Sequence, residues 1–293
     1  MALIHLDFES QYYNANTDVY VIIPDKKRGI DPKDFYKRED RFKCLWLLHG
    51  TFGSYSDWIR KSNIELYACE HDLMVVMPSV QNFDYEEWNN AGLGLDTTKM
   101  ITDELMPMIQ SWFPASEKRE DNFVAGLSMG GGGALKLALN YPEKFSACAC
   151  LSSTPRNLDS KKEQLEQLFA MTRKEAREAV FPDRFMSYRA YNQMHRYDSV
   201  DEYLDSISNS WRRLDAMVER KDPLLPRFFF SIGTEDFGYE NYKLFKAHLE
   251  EIGLSAVFTE GPGVHEWRVW ERDIQKAIEF FGLTGDDVKG NAF

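Results

Sequence analysis

The chain has 293 residues, a formal net charge of −12 and 28% charged residues. That acidity repels phosphate backbones and anionic headgroups, so neither nucleic acid nor a membrane is the expected partner, and no apolar window approaches the ~20 residues that span a bilayer. The four cysteines, Cys44, Cys69, Cys148 and Cys150, include no C-x-x-C pair, and three sit in or beside apolar runs; they read as reduced thiols of a cytoplasmic protein, with no redox or metal role expected.

Residues 1–20 have no basic segment leading into an apolar run, and Asp7, Glu9 and Asp18 interrupt them, so no secretory leader is expected. Beyond them, short apolar or β-branched runs alternate with helical patterns. That alternation predicts an α/β fold, a mostly parallel sheet with helices on both faces, and composition does not divide it, so residues 1–293 are expected to form one domain. Strands are predicted near residues 18–23, 43–48, 73–77, 122–125, 146–151, 227–232 and 255–259, and the clearest helices at 97–112, 131–140, 239–252 and 270–281. Residues 25–40, charged and carrying Gly29 and Pro32, read as a surface connection.

The run Cys44 to Leu48 leads into His49-Gly50-Thr51-Phe52-Gly53, a glycine-containing turn at the carboxyl end of an expected central strand, where open α/β sheets place their ligands. Residues 81–96 carry Phe83, Tyr85 and Trp88 among glycines and acids and are too irregular for a strand or a helix, so an active-site loop is expected.

After the run Asn122 to Ala125 comes Gly126-Leu127-Ser128-Met129-Gly130, followed by a helical pattern. A serine between two glycines at a strand-to-helix turn is the pattern of a nucleophile elbow: the backbone is strained there, and bulky neighbours would clash. Neither G-K-[ST] nor G-x-G-x-x-G spacing follows, which disfavours a phosphate cradle. With an elbow downstream, the His49–Gly53 turn becomes the expected source of the second oxyanion-hole amide, from Thr51 or else Phe52, and Met129 of the first.

Residues 155–226 change character, being charged and helical in period. Two to four helices are expected there, at 161–170, 172–180 and 199–220 with a break at Pro182, forming an insertion that caps the strand ends. The sheet pattern then resumes, and two of its turns carry the remaining candidates. Asp236 follows the strand at 227–232, and His265 follows the strand at 255–259. The order Ser128, Asp236, His265 is that of a Ser-acid-His hydrolase on an α/β sheet. His5, His71, His195 and His248 lie off the strand ends.

The segments around Ser128, Asp236 and His265, with His49-Gly50 and Met77-Pro78-Ser79, resemble the esterase D family of α/β-hydrolases, and most closely its tributyrin-esterase type. The resemblance runs from about residue 17 to 281 and is weakest across the insertion; Gly132 stands where the family has an aromatic. It implies a carboxylesterase for short acyl esters that uses neither metal nor cofactor. Relatives act on S-formylglutathione or on acetylated or feruloylated carbohydrates, or transfer mycolyl groups.

The expected mechanism is attack by Ser128 with His265 as base and Asp236 orienting it, on a small-molecule ester. The alternatives are acyl transfer or thioester hydrolysis by the same triad, or a non-catalytic binding protein on this scaffold. Phe52, Trp58, Trp88, Phe237 and Trp267 fall in the loops at the strand ends and are expected to line a short acyl pocket. The oligomeric state is left open, a homo-oligomer included.

Overall fold

The protein is represented by a computed structural model that describes residues 1–26, 29–37, 39–181 and 186–283. Among the described residues ten strands occur: β1 (Ala2–Ser10), β2 (Ala15–Ile23), β3 (Lys43–Leu48), β4 (Leu73–Pro78), β5 (Glu87–Trp88), β6 (Leu95–Asp96), β7 (Asn122–Leu127), β8 (Ala147–Leu151), β9 (Arg227–Gly233) and β10 (Val257–Gly261). Eight of them form one sheet in the order β1-β2-β4-β3-β7-β8-β9-β10, while β5 and β6 make a small separate ladder. From β4 to β10 every pairing is parallel, and β1 and β2 add an antiparallel ribbon at one edge.

The central strands read as unbroken apolar runs because both of their faces are covered. Cys44, Trp46, Leu48, Val124, Cys148 and Phe230 point into one core, which the helices Met106–Trp112, Met129–Asn140, Ser210–Glu219 and Tyr239–Glu251 close. Leu45, Leu47, Phe123, Ala125 and Phe229 point into the other, closed by Ile64–Glu70 and Trp267–Phe280. Alternation along each strand thus divides the core into two layers.

Several boundaries differ from the sequence reading for local reasons. The strand β1 was not expected, although Ile4, Leu6 and Phe8 alternate with His5, Asp7 and Glu9 as a half-buried edge strand requires. The helix expected over 97–112 contains a π-helical turn, Met100–Leu105, just before Pro107. Proline has no N–H and its ring crowds the preceding turn, so the ladder widens ahead of it. Of the expected helix at 199–220, residues 206–209 are not helical: Val200–Asp205 ends there, and Ser210–Glu219 starts afresh with the Asn209 side chain accepting the Arg212 N–H at its amino end.

Between β8 and β9 the described residues hold five α-helices, one more than the expected upper number: Lys162–Phe169, which a 3₁₀ turn at Asp159–Lys161 leads into, Arg173–Glu178, Tyr188–Met194, Val200–Asp205 and Ser210–Glu219. The first four share a small apolar cluster around Leu165, Leu168, Tyr191, Met194 and Leu204. The fifth instead inserts Trp211, Leu214 and Met217 into the main core. The expected break at Pro182 lies outside the described residues.

Candidate active site

Ser128 ends β7 and precedes the helix Met129–Asn140 with φ 52° and ψ −119°. A left-handed serine costs of order 1–3 kcal/mol, so its surroundings must impose the conformation. The Ser128 N–H donates to the Leu151 carbonyl of β8 at 2.8 Å. A Cβ on Gly126 would lie 2.4 Å from the Gly130 carbonyl carbon, and one on Gly130 would lie 2.5 Å from the Leu48 and His49 carbonyl oxygens. Any side chain at either glycine would therefore push the elbow off β3. Farther along the same helix, a Cβ on Gly133 would meet the buried Tyr85 ring at 2.3 Å.

Across the cleft, His265 Nε2 is 2.9 Å from Ser128 Oγ, and His265 Nδ1 is 2.7 Å from Asp236 Oδ2. With the Nδ1 proton donated to the carboxylate, Nε2 is the acceptor that faces the serine hydroxyl. The Asp236 side chain is fully buried. Burial pushes its carboxyl up, but hydrogen bonds from His265, the Gly238 amide and Ser152 together outweigh burial and hold it below the ordinary carboxylate range. The Gly238 N–H reaches Oδ1 at 2.8 Å, and Ser152 Oγ itself accepts from Trp270 Nε1 at 3.0 Å.

The turns carrying the acid and the histidine are stitched together. The Thr234 N–H donates to the Gly261 carbonyl at 2.8 Å and the Glu235 N–H to the Gly263 carbonyl at 3.1 Å. Glu235 turns its carboxylate to the Thr234 hydroxyl and the Gly263 N–H, at 3.0 and 2.5 Å. It is spent on the backbone of the histidine loop, and Asp236 alone of the two faces His265.

The turn after β3 is pinned by His49, which is 1% exposed. Its Nδ1–H donates to the Gly50 carbonyl at 2.8 Å and its Nε2 accepts the Val80 N–H at 3.0 Å. Burial pushes its pKa down, in keeping with the neutral ring that this pairing requires. The Phe52 N–H is donated to Asn82 Oδ1 at 2.8 Å. Of the two amides weighed for the oxyanion hole, Thr51 is therefore the one this contact leaves available. Met129, at the first position of its helix, has an N–H that the helix itself does not use.

Ser128, His265, Thr51 and Met129 line one cleft of about 1040 Å³, together with Phe52, Phe237 and Trp267. Gly132 also lines it, and a Cβ there would fit: its nearest neighbour, Ser153 Oγ, would lie 3.6 Å away in ordinary van der Waals contact. Two expected lining residues are elsewhere. Trp58 is a core residue, 1% exposed, with Nε1 donating to the Leu48 carbonyl at 3.1 Å. Its ring supports Trp267 edge-on at 5.1 Å, so it acts behind the cleft wall. Trp88 lines an adjoining cavity of about 670 Å³, and Thr51, Phe52 and Arg189 border both spaces. Sequence reasoning missed Ser152, Asn82 and Arg189, because polar residues outside recognisable motifs carry no local signal. Among the described residues, no group of three or more His, Cys, Asp or Glu side chains could hold a metal ion.

The family described as Esterase matches residues 10–281. The chain belongs to this esterase family. An acetyl esterase of Caldicellulosiruptor saccharolyticus is 30% identical over 98% of this chain and all of its own length. Among solved structures, the fluorophosphonate-binding serine hydrolase F of Staphylococcus aureus superposes with a TM-score of 0.73 at 28% identity, covering 96% of this chain and 98% of that one. The S-formylglutathione hydrolase of the same organism also gives 0.73, at 26% identity and the same coverage of both chains. A ferulic acid esterase, at 19% identity and a TM-score of 0.66, shares the fold. The esterase is thus a serine carboxylesterase of the esterase D-like group, with the α/β-hydrolase fold. No helix among its described residues is long and apolar enough to cross a membrane.

Proposed function

We propose that this esterase cleaves short-chain acyl esters through Ser128, His265 and Asp236. The observation that carries the reading is the continuous chain from Ser128 Oγ through both ring nitrogens of His265 to a buried, ionised Asp236, at 2.9 and 2.7 Å. Serine oxygen is a poor nucleophile at its own pKa, so His265 Nε2 takes its proton as Oγ attacks the ester carbonyl. Asp236 keeps the Nδ1 proton in place and stabilises the imidazolium. The Thr51 and Met129 amides receive the oxyanion, each donor contributing about 3 kcal/mol to the transition state. His265 then protonates the leaving alcohol and activates the water that releases the acid.

Short acyl groups are favoured by the likeness to the acetyl esterase. We read the helices between β8 and β9 as a cap within a single domain, since Ser187, Arg189, Ala190 and Gln193 reach the cleft. A cytoplasmic setting accords with four free cysteines, three of them buried.

The test is Ser128→Ala assayed on p-nitrophenyl acetate. The expected loss in kcat is on the order of 10⁴-fold or more with an unchanged melting temperature, because the strained serine adds little to the core. Labelling of wild type by a fluorophosphonate should place the adduct on Ser128; an adduct on another serine, or near-native turnover by the variant, would overturn the reading.

A further inference from the structure

Arg189 lies on the helix Tyr188–Met194, and its guanidinium is occupied on two sides. Nε donates to Asp84 Oδ2 at 3.1 Å and Nη2 to Asp84 Oδ1. The third nitrogen, Nη1, reaches Thr51 Oγ1 at 3.3 Å, bridging 138 positions of sequence. Asp84 is itself a fixed point. It is 7% exposed, its carboxylate also accepts Gln193 Nε2 at 2.6 Å, and its carbonyl accepts Lys136 Nζ from the elbow helix at 2.9 Å. Asp84 and Tyr85 both adopt left-handed backbone, at φ 55° and 56°, and the Tyr85 hydroxyl donates to the His49 carbonyl at 2.9 Å.

These contacts converge on the turn after β3. That turn runs between Gly50 and Gly53, with Phe52 in left-handed backbone at φ 61°. An oxyanion donor acts only if its N–H is held within a fraction of an ångström of the productive direction. Asn82 holds the peptide N–H of Phe52, and Arg189 holds the side chain of Thr51.

We propose that Arg189 is a positioning residue for the oxyanion hole: through Thr51 Oγ1 it fixes the direction of the Thr51 N–H, and it does so from the helical segment between β8 and β9. This rests on the proposed role of the Thr51 amide. Pairing with Asp84 neutralises the guanidinium and uses its fork, so Arg189 serves as a rigid donor in place of a free cation for substrate.

A double-mutant cycle on p-nitrophenyl acetate tests the coupling. Thr51→Val deletes the acceptor oxygen but leaves the amide and the Arg189–Asp84 pair intact, so it is protected against failure to fold. Thr51→Val and Arg189→Met are each expected to lower kcat by about 10-fold or more, short of the ~10²–10³ lost with a whole donor, and to change KM less than about threefold. The double variant is expected to be no slower than the slower single, and Thr51→Ser to recover most of the rate. Multiplicative losses, a Thr51→Val enzyme as fast as wild type, or a rise in KM with kcat unchanged would each overturn the proposal. Failure here is separable from failure of the esterase reading: a slow Ser128→Ala beside a fast Thr51→Val removes only the Arg189 role, whereas a fast Ser128→Ala removes the triad.

Discussion

Glu235 and Asp236 are adjacent and chemically alike, yet their surroundings divide their tasks. Within the turn after β9, where the Asp236 N–H donates to the Gly233 carbonyl at 3.1 Å, the two side chains diverge, so one carboxylate meets His265 and the other meets the Gly263 N–H. Asp236→Asn should therefore lower kcat by about 10³–10⁴-fold, because the amide leaves His265 in the wrong tautomer. Glu235→Gln keeps an acceptor for the Gly263 N–H and should cost less than about tenfold. Steady-state kinetics on p-nitrophenyl acetate ranks the two, and the reverse order would reassign the acid. Ser152 belongs at this scale as well: at φ 50° it stands between Trp270 Nε1 and Asp236, linking core packing to the carboxylate.

At the scale of elements, the segment between β8 and β9 is held down by buried charge. Glu86, 1% exposed, is paired with Lys136 of the elbow helix and with Arg196, and accepts the Ser208 hydroxyl at 2.8 Å. Burial pushes the Glu86 carboxyl up, but the Lys136 ammonium and the Arg196 guanidinium outweigh burial and bring it down from 4.5 to about 2. A carboxyl whose folded pKa lies below its unfolded one binds its proton first in the unfolded chain. Its stabilisation is present above about 4.5 and is lost as the pH falls toward 2. Glu86→Gln leaves Lys136 and Arg196 buried without their counter-charge, and should cost about 3 kcal/mol at neutral pH. Urea unfolding of wild type and variant between pH 7 and about pH 3 checks both claims: the gap should narrow as the pH drops, and a gap constant with pH would refute the linkage.

For the whole molecule, the balance of apolar and charged groups in the cleft decides which acids it accepts. Phe52, Phe237, Trp267 and Trp270 line the cleft, with Phe52 92% exposed at its rim and the Phe237 ring 4.6 Å from that of His265. Around them stand Asp57, Lys61, Asp84, Arg189 and Arg268. A long alkyl chain laid against those groups recovers less than the ~0.8 kcal/mol that each methylene gains in an apolar pocket. On p-nitrophenyl esters from acetate to decanoate, kcat/KM should therefore stop rising by about butyrate. A specificity constant that climbs beyond hexanoate would show an apolar channel.

The sequence by itself determined the features written within a few consecutive residues. The central strands were legible because burial on both faces forces unbroken apolar runs, and β3 spans the very residues expected of it, 43–48. The elbow was legible because its glycines have a steric cause at fixed spacing, and the order Ser128, Asp236, His265 because each follows a recognisable strand. Only the tertiary structure decided matters of facing and distance. Trp58 and Trp267 both stand at the start of a helix that follows a strand-end turn, Asp57–Lys61 and Trp267–Phe280, yet one is buried under β3 and the other lines the cleft, since helical phase and neighbouring strands set a side chain's direction. Arg189 and Thr51 meet only because one helix beyond β8 folds back over the turn after β3. No local pattern encodes such a contact: its partners lie far apart in the chain, and the ion pair on Asp84 that aims the guanidinium exists only once the sheet has placed both.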